Sequence, residues 1–275
     1  MSTRYPSDLS DAEWECVQRY LPSLSKRGRP RTQPLRRILD AIYSVLRTGC
    51  PWRYLPSNFP AGQTVYYQFR RFRRKNTLHA LYTALHRAER ERVGRHAELS
   101  AAVMDRQSVK TVEESARICG YDAHQCVKGR KRHLLVDTLG LPSAWYVTPA
   151  DLSDSQGARR LLGGLAFFVP RLKTIWADAA YRGKELAEWC RQQGAAWDLE
   201  VVEREPGTRG FKVQLRRWGV ERSFAWLPRN RRVAKDYERK VQTDETFIEL
   251  AAIRLMLRWL ATAGESRVTA HRCGA

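Results

Sequence analysis

Residues 132–148 read RHLLVDTLGLPSAWYVT, and this stretch predicts two strands joined by a tight turn. Apolar and aromatic residues fill both halves, and Thr138-Leu139-Gly140 lies between them, as in a β-hairpin. Upstream, the apolar run Ala101–Met104 is typical of a short buried strand. The sequence therefore predicts a strand that is followed by a hairpin of two more strands.

Helices and strands alternate after the hairpin. Asp154 and Ser155 are expected to cap a helix that runs to about Leu165. The pattern then predicts a strand at 173–177, a helix at 184–193, a strand at 196–202, a helix around Glu221 and a long apolar helix at 244–262. This order of elements is that of an RNase H-like domain, an α/β fold with a mixed sheet and flanking helices.

The N-terminal third is predicted to be helical. Ser10 and Glu13 form a capping-box pattern. Four helices are expected there, at 11–20, at 34–47, from about Thr64 and from a cap at Thr77. Short helices that include an arginine-dense one are typical of a small all-α, helix-turn-helix-like DNA-binding domain. We thus expect a helical DNA-binding domain at 1–95, an RNase H-like catalytic domain at 96–265 and a disordered tail at 266–275.

Three acids fall on elements that an RNase H-like fold brings together. Asp105 follows the first strand, Asp178 follows the fourth, and Glu221 lies in the late helix. Carboxylates at the ends of buried strands lose hydration, which bound divalent cations would replace. We therefore expect these acids to hold two Mg²⁺ or Mn²⁺ ions on one scissile phosphate. The remaining candidates have simpler assignments: Asp137 in a turn, Asp151 and Asp154 at a helix cap, and Glu113, Glu114 and Asp122 in a polar loop.

The charge of the chain favours a polyanionic partner. Its 275 residues carry a formal net charge of +20, which indicates nucleic acid, with a soluble enzyme that merely has a basic surface as the alternative. No apolar run reaches the roughly 18 residues of a membrane span. The N-terminus also lacks the apolar core of a secretory signal, so we expect the bacterial cytoplasm and the nucleoid.

The cysteines point to a reducing compartment. None of the six belongs to a C-x-x-C pair, so free thiols are expected. A zinc site built from Cys119, His124, Cys126 and His133 is the alternative, although this spacing matches no common zinc finger.

Two arginine-rich segments are candidates for DNA contact. Arg70, Arg71, Arg73 and Arg74 surround the apolar face of the third helix, and we favour DNA contact over a solvated face for them. Arg27, Arg29 and Arg31 lie in the sequence KRGRPR. That sequence is similar to an AT-hook, which lays arginines into a narrow minor groove, but a solvated loop between helices explains it equally well.

Several blocks of this sequence resemble the DDE transposases of bacterial insertion sequences, in particular the insertion-sequence-five family within the insertion-sequence-four-like group. The resemblance covers roughly residues 4–262. The blocks are residues 5–14, 28–31, 46–53, 64–69, 105–110, 128–133, 177–183, 220–227 and 230–238. The resemblance implies that Asp105, Asp178 and Glu221 are the catalytic, metal-binding triad. It also implies a transposase that binds terminal inverted repeats as at least a homodimer, cleaves there and transfers the strand to target DNA.

The resemblance also implies further basic contacts to DNA. They are Lys128, Arg130, Lys131, Arg182, Arg217, Arg229, Arg231 and Arg232. Arg217 matches the arginine of the family signature around the glutamate, whereas Gln214 and Pro228 stand where the signature has tyrosine and lysine. Two other functions stay open: a catalytically inactive DNA-binding regulator, and an RNase H-fold nuclease without transposition.

Overall fold

The computed structural model describes residues 5–22, 32–113, 118–202 and 217–272. The chain forms two compact units. The first unit comprises Met1–Arg95, Arg229–Val233 and Thr246–Ala275, and the second comprises His96–Pro228 and Ala234–Glu245. The expected division used continuous ranges, whereas the first unit also includes residues 229–233 and the last helix from Thr246 onward.

The first unit is helical, as expected. Its helices are α1 Asp11–Gln18, α2 Leu35–Thr48, α3 Gly62–Arg74, α4 Thr77–Arg92 and most of α10 Val241–Arg272, together with a 3₁₀ turn at Trp52–Tyr54. Ser10 and Glu13 form the predicted capping box at the start of α1. The cap of α4 is Asn76 in the left-handed conformation, not Thr77. α10 continues to Arg272, through most of the segment expected to be disordered.

Aromatic stacking and a buried ion pair explain why the last helix joins the first unit. The rings of Phe69 and Phe247 stack with their centroids 5.3 Å apart, and Trp52 packs against both. Arg254 of α10 donates to the carboxylate of Glu13 at 2.6 Å. The partners are up to 241 positions apart in the sequence, so local periodicity does not reveal them.

The second unit is built on one mixed sheet. Its strands are β1 Ala101–Lys110, β2 Gly120–Asp122, β3 Val127–Asp137, β4 Pro142–Pro149, β5 Thr174–Ala177 and β6 Asp198–Val201. The order is β2-β3-β1-β5-β6, and β4 pairs with β3 beyond this path. β3 runs antiparallel to β1 and β4, whereas β1, β5 and β6 are parallel. This topology confirms the predicted RNase H-like fold.

Two strand predictions need correction. β1 extends past Asp105 to Lys110, and the short β2 lies where a polar loop was expected. Both strands are held by backbone pairing with β3, as in Asp105↔Leu134 and Tyr121↔Lys128. Pairing of this kind does not require apolar side chains, which is why the hydrophobic pattern did not reveal these segments.

Helices cover the sheet and close its core. They are α5 Asp154–Leu162, α6 Leu165–Phe168, α7 Lys184–Gln192 and α8 Trp218–Trp226, whereas the short α9 Arg231–Ala234 lies almost wholly in the first unit. The cap of α5 is Ser153, whose hydroxyl accepts from the amide of Gln156, so neither Asp154 nor Ser155 has this role. Met104, Leu135 and Ile175 from the sheet pack against Leu162 and Leu186. In the described parts of the chain, no helix has the length and apolarity needed to span a membrane.

Two buried ion pairs fasten residues 234–245 to β3. Arg130 donates to Asp236 at 2.6 Å, and Arg132 makes two hydrogen bonds with Asp244, at 2.6 and 2.9 Å. All four side chains are at most 1% exposed. Arg130 was expected to contact DNA, and its complete burial corrects that prediction.

Candidate active site

Asp105 and Asp178 lie side by side on neighbouring parallel strands. The register pairs Met104 of β1 with Ala177 of β5, and each aspartate is the next residue of its chain. Adjacent strands are about 4.8 Å apart, so the two aspartates lie next to each other on the sheet. Each is held by a backbone amide: Arg106 donates to Asp105 at 2.7 Å, and Ala180 donates to Asp178 at 2.9 Å.

A single guanidinium group faces both carboxylates. Nη2 of Arg217 lies 2.8 Å from Oδ2 of Asp105 and 3.9 Å from Oδ2 of Asp178. Burial by itself would lower the pKa of Arg217, but the charges of Asp105, Asp178 and Glu221 outweigh it and raise the pKa above its ordinary value. Arg217 therefore stays charged, and the negative charges of the three acids together stabilise that positive charge.

The position of Glu221 follows from the docking of α8 on the β3–β4 hairpin. The hydroxyl of Ser223 donates to the carbonyl of Gly140, and Arg222 donates to that of Leu139. Gly140 has φ +75°, and a side chain there would bring its Cβ to 2.7 Å from the carbonyl oxygen of Gly219. Only glycine allows both this turn and this close approach. The hairpin thus fixes the helix that carries Glu221.

Burial raises the pKa of the Asp105 carboxyl. Its side chain is 12% exposed, and burial raises its pKa, with Asp178 acting in the same direction, whereas Arg217 and the Arg106 amide lower it. The charge that opposes the effect of burial on Asp105 comes first from Arg217.

The donor set suits a hard divalent cation. Within the described residues, no three His, Cys, Asp or Glu side chains are grouped closely enough to hold a metal ion together. Asp105 and Asp178 instead lie next to the guanidinium of Arg217, and the charge of Glu221 also acts on it. Carboxylate oxygens are the ligands that Mg²⁺ and Mn²⁺ prefer. The chemistry of these carboxylates therefore suits such an ion, but among the described residues Glu221 is not grouped with Asp105 and Asp178 closely enough to share one.

Tyr181 is a site residue that the sequence reasoning treated only as part of a motif. It lies three positions after Asp178 and is 1% exposed. Its hydroxyl has no hydrogen-bond partner among the described residues. Burial and then the charges of Asp105, Asp154 and Asp178 raise its pKa well above the ordinary value. The hydroxyl consequently keeps its proton and is an unused donor beside the acids.

A charged network lies behind the acids. Asp154 accepts from Arg106 at 3.0 Å and from Lys131 at 2.8 Å, and Asp122 accepts from the hydroxyl of Ser108 at 2.6 Å. Burial alone would raise the pKa of Asp154, but Lys131 and Arg106 together lower it. This network corrects three predictions: Asp154 is not a cap, Asp122 is not in a loop, and Lys131 is buried and not available to DNA.

The register of β1 and β3 was the signal that could have revealed this network. It places Lys131 opposite Ser108, and directly opposed side chains lie on one face of a sheet. By contrast, Asp137 accepts from the amides of Leu139 and Leu141, at 2.9 Å each, which confirms its prediction as a turn residue.

The other predicted DNA contacts divide into accessible and buried side chains. Arg70, Arg74, Lys128, Arg182, Arg229 and Arg231 are exposed, and Arg71 and Arg73 are half-buried. Arg232 is buried over the ring of Phe247, where it donates to the carbonyls of Gly49 and Cys50, so its role is in packing. Arg27, Arg29 and Arg31 lie outside the described residues.

The alternative zinc site does not form among the described residues. His133 is buried within β3 and pairs with the hydroxyl of Thr148 at 3.0 Å, whereas Cys126 is exposed. Five of the six cysteines are described, and these five are free thiols, as expected.

Comparison with known proteins identifies the family. The family described as "Putative transposase of IS4/5 family" matches residues 9–82, and the family described as "Transposase DDE domain" matches residues 96–257, which is more than half of the chain. A "Putative transposase for insertion sequence element IS402" from Burkholderia cepacia is 25% identical over 145 residues, 50% of this chain and 67% of that protein. The chain, with its RNase H-like sheet and its paired aspartates, belongs to the DDE transposase family, of the IS4/IS5 type.

Proposed function

We propose that this transposase binds the terminal inverted repeats of its insertion sequence and that Asp105, Asp178 and Glu221 catalyse strand cleavage and strand transfer. The observation that carries the proposal is the pairing of Asp105, on β1, with Asp178, at the end of β5, beside the half-buried guanidinium of Arg217, on which the charge of Glu221 from α8 also acts. Three carboxylates on three separate elements provide the donor set that a phosphoryl-transfer site requires. Mg²⁺ or Mn²⁺ bound there, as two ions, would supply Lewis-acid activation of the attacking oxygen and charge neutralisation at the leaving oxygen.

The residues of the chain contribute position and charge. The amides of Arg106 and Ala180 fix the orientation of the two aspartates. The hydroxyl of Tyr181 keeps its proton and can donate to a carboxylate or to a water molecule beside them. Arg217 neutralises the acids before a substrate arrives, because it is already within hydrogen-bond distance of Asp105.

Two in-line displacements account for the reaction. In the first, water attacks the phosphorus atom at the transposon end, the P–O3′ bond breaks, and the proton lost by water is balanced by the one gained by the new 3′-hydroxyl. In the second, the oxygen of this hydroxyl bonds to a phosphorus atom of target DNA, the P–O3′ bond there breaks, and the displaced 3′-oxygen gains the proton that the attacking hydroxyl loses. No covalent bond to the protein forms in either step, so the protein acts through positioning and electrostatics.

Replacement of each acid tests the proposal. In Asp105→Asn, Asp178→Asn and Glu221→Gln, cleavage of a duplex that carries the inverted repeat should fall by more than about 100-fold, the upper range for loss of a group that supports a metal ligand. Binding to the same duplex in a gel-shift assay should persist. Glu185→Gln is the matched control, since this side chain is 90% exposed. Retained cleavage in any of the three variants would refute the assignment.

The same assay separates the alternative functions. A regulator without activity binds the repeat, but the unmodified protein does not cleave it. A nuclease without transposition cleaves the repeat but does not join the new 3′-hydroxyl to a target plasmid. Assembly on two repeat ends implies at least a homodimer, which light scattering on the purified protein–DNA complex measures directly.

A further inference from the structure

The helix α3 has two sharply different sides. Val65, Phe69 and Phe72 are at most 1% exposed and pack inside the first unit. The opposite side is exposed along the whole helix. At 100° per residue, Gln63, Tyr67, Arg70 and Arg74 fall within about 60° of one another and form a single stripe. The stripe from Gln63 to Arg74 is about 16 Å long at 1.5 Å per residue.

Charge is distributed unevenly along this exposed side. Residues 62–69 contain no charged side chain, and their exposed groups are the amide of Gln63 and the hydroxyls of Thr64, Tyr66 and Tyr67. The basic half that follows contains Arg70, Arg71, Arg73, Arg74 and Lys75. No acidic residue occurs anywhere in α3. Tyr67 and four of these basic residues line one open concavity.

The uncharged half is also held rigidly. The ring of Trp52 packs against Tyr66 and Phe69, with centroids 5.5 and 5.1 Å away. Gly62 lies so close to the carbonyl of Trp52 that a side chain there would overlap it. The first turn of α3 is therefore fixed in place, which suits a surface that must distinguish between similar partners.

The chemistry of the two halves matches the two parts of a DNA duplex. Cationic side chains bind phosphates irrespective of sequence. Glutamine forms a bidentate pair with the N6 and N7 atoms of adenine, and hydroxyls also bond base edges in the major groove. That groove is about 12 Å wide and admits one α-helix. The segregation of amide and hydroxyl groups from charges thus favours a helix that reads bases at its N-terminal end.

We propose that Gln63, Thr64 and Tyr67 read base edges of the inverted repeat in the major groove, while the basic half of α3 holds the flanking phosphates. This inference rests on the proposed binding of inverted repeats and adds to it the side chains that give sequence specificity. Gln63 is the residue that selects adenine. The arginines supply affinity that is independent of sequence.

The test compares two duplexes, one carrying the element's own repeat and one with the same bases shuffled. Fluorescence anisotropy with the full chain gives the affinity for each duplex between 50 and 300 mM KCl. For Gln63→Ala the ratio of the two affinities should fall by about 5- to 150-fold, the value of one bidentate base contact, with an unchanged salt dependence. For Arg70→Ala the affinities for the two duplexes should fall by the same factor. The plot of log K against log salt concentration should become less steep, by about 0.9 in slope.

Controls distinguish the possible outcomes. Gln18→Ala replaces another exposed glutamine of the first unit, on α1, and should alter neither affinity. Circular dichroism establishes that the exposed substitutions leave the fold intact. An unchanged ratio in Gln63→Ala, or an equal loss on both duplexes, overturns the assignment of the reading residues alone. Failure of the unmodified protein to prefer the repeat overturns the proposed function as well.

Discussion

Arg217 occupies the position that a catalytic cation would need, and its replacement should therefore strengthen metal binding. In the DNA-free protein its guanidinium lies 2.8 Å from Asp105 and 3.9 Å from Asp178. An ion that binds these carboxylates must first displace it. Arg217→Gln removes the positive charge and leaves the acids available, so we expect tighter binding of Mn²⁺ in the absence of DNA.

The size of the effect follows from the hydrogen bond that is lost. A hydrogen bond between charged groups contributes about 1.5–3 kcal/mol, and the Arg217 side chain is only 17% exposed, so solvent screening reduces this contribution little. Since 1.4 kcal/mol is a factor of ten, the dissociation constant for Mn²⁺ should fall by about 10- to 150-fold. The metal-free variant should also unfold at a lower temperature than the unmodified protein, because its acids repel one another without a cation.

Isothermal titration with Mn²⁺ alone measures the affinity, and thermal unfolding with and without Mn²⁺ gives an independent reading, since a ligand stabilises the state that binds it. Arg171→Gln is the matched control, an exposed arginine that precedes β5 in the same unit. An equal or weaker affinity for Mn²⁺ in Arg217→Gln would refute the reasoning. It would show that Arg217 supports the metal site rather than competing for it.

Three further outcomes are expected from buried groups of the second unit. Burial lowers the pKa of His133 to about 4, below its unfolded value of about 6.5. The contribution of the neutral imidazole to the free energy of unfolding is therefore complete above pH 6.5 and is lost as the pH falls towards 4, by at most about 3 kcal/mol. Urea unfolding as a function of pH should show this loss, and a His133→Gln variant with the same pH slope would contradict it. Arg132→Met leaves the charge of Asp244 buried without its partner, so it should lower the free energy of unfolding by about 3–5 kcal/mol. Adding Asp244→Leu removes that charge and should restore most of the loss. A double variant no more stable than the single one would exclude this explanation. Tyr181→Phe removes a hydroxyl without a partner among the described residues, so the free energy of unfolding should change by less than about 0.5 kcal/mol. The rate of strand cleavage should nevertheless fall about 10- to 100-fold. Equal losses of stability and of cleavage, measured by unfolding and by strand cleavage, would assign the hydroxyl a structural role.

Local sequence patterns were sufficient for the main elements of the fold. The two apolar runs of residues 132–148, with a turn between them, predicted the β3–β4 hairpin, and the pair Ser10 and Glu13 predicted the start of α1. The neighbouring positions of Asp105 and Asp178 also followed from sequence, because each acid comes directly after an apolar run of a buried strand. Periodicity and capping depend on residues only a few positions apart, so a single sequence contains the information that they require.

The roles of the basic residues were decided by the tertiary structure. Lys128, Arg130 and Arg132 follow one another on β3, yet the first is exposed and the other two are buried against Asp236 and Asp244. Their partners lie 106 and 112 positions further along the chain, beyond the range of any local pattern. Since positive charge appears identical in a sequence whether it binds DNA, a carboxylate or an aromatic ring, only the packed structure distinguishes these uses.

Arg217 illustrates the same limit at the active site. The family resemblance of the sequence implied that three acids and an arginine belong to one catalytic motif. Only the tertiary structure placed the guanidinium between Asp105 and Asp178, because that position depends on how α8 docks on the hairpin turn at Gly140. The physical reason is that attraction between charges depends on distance in space, which chain order does not specify for residues that are 112 positions apart.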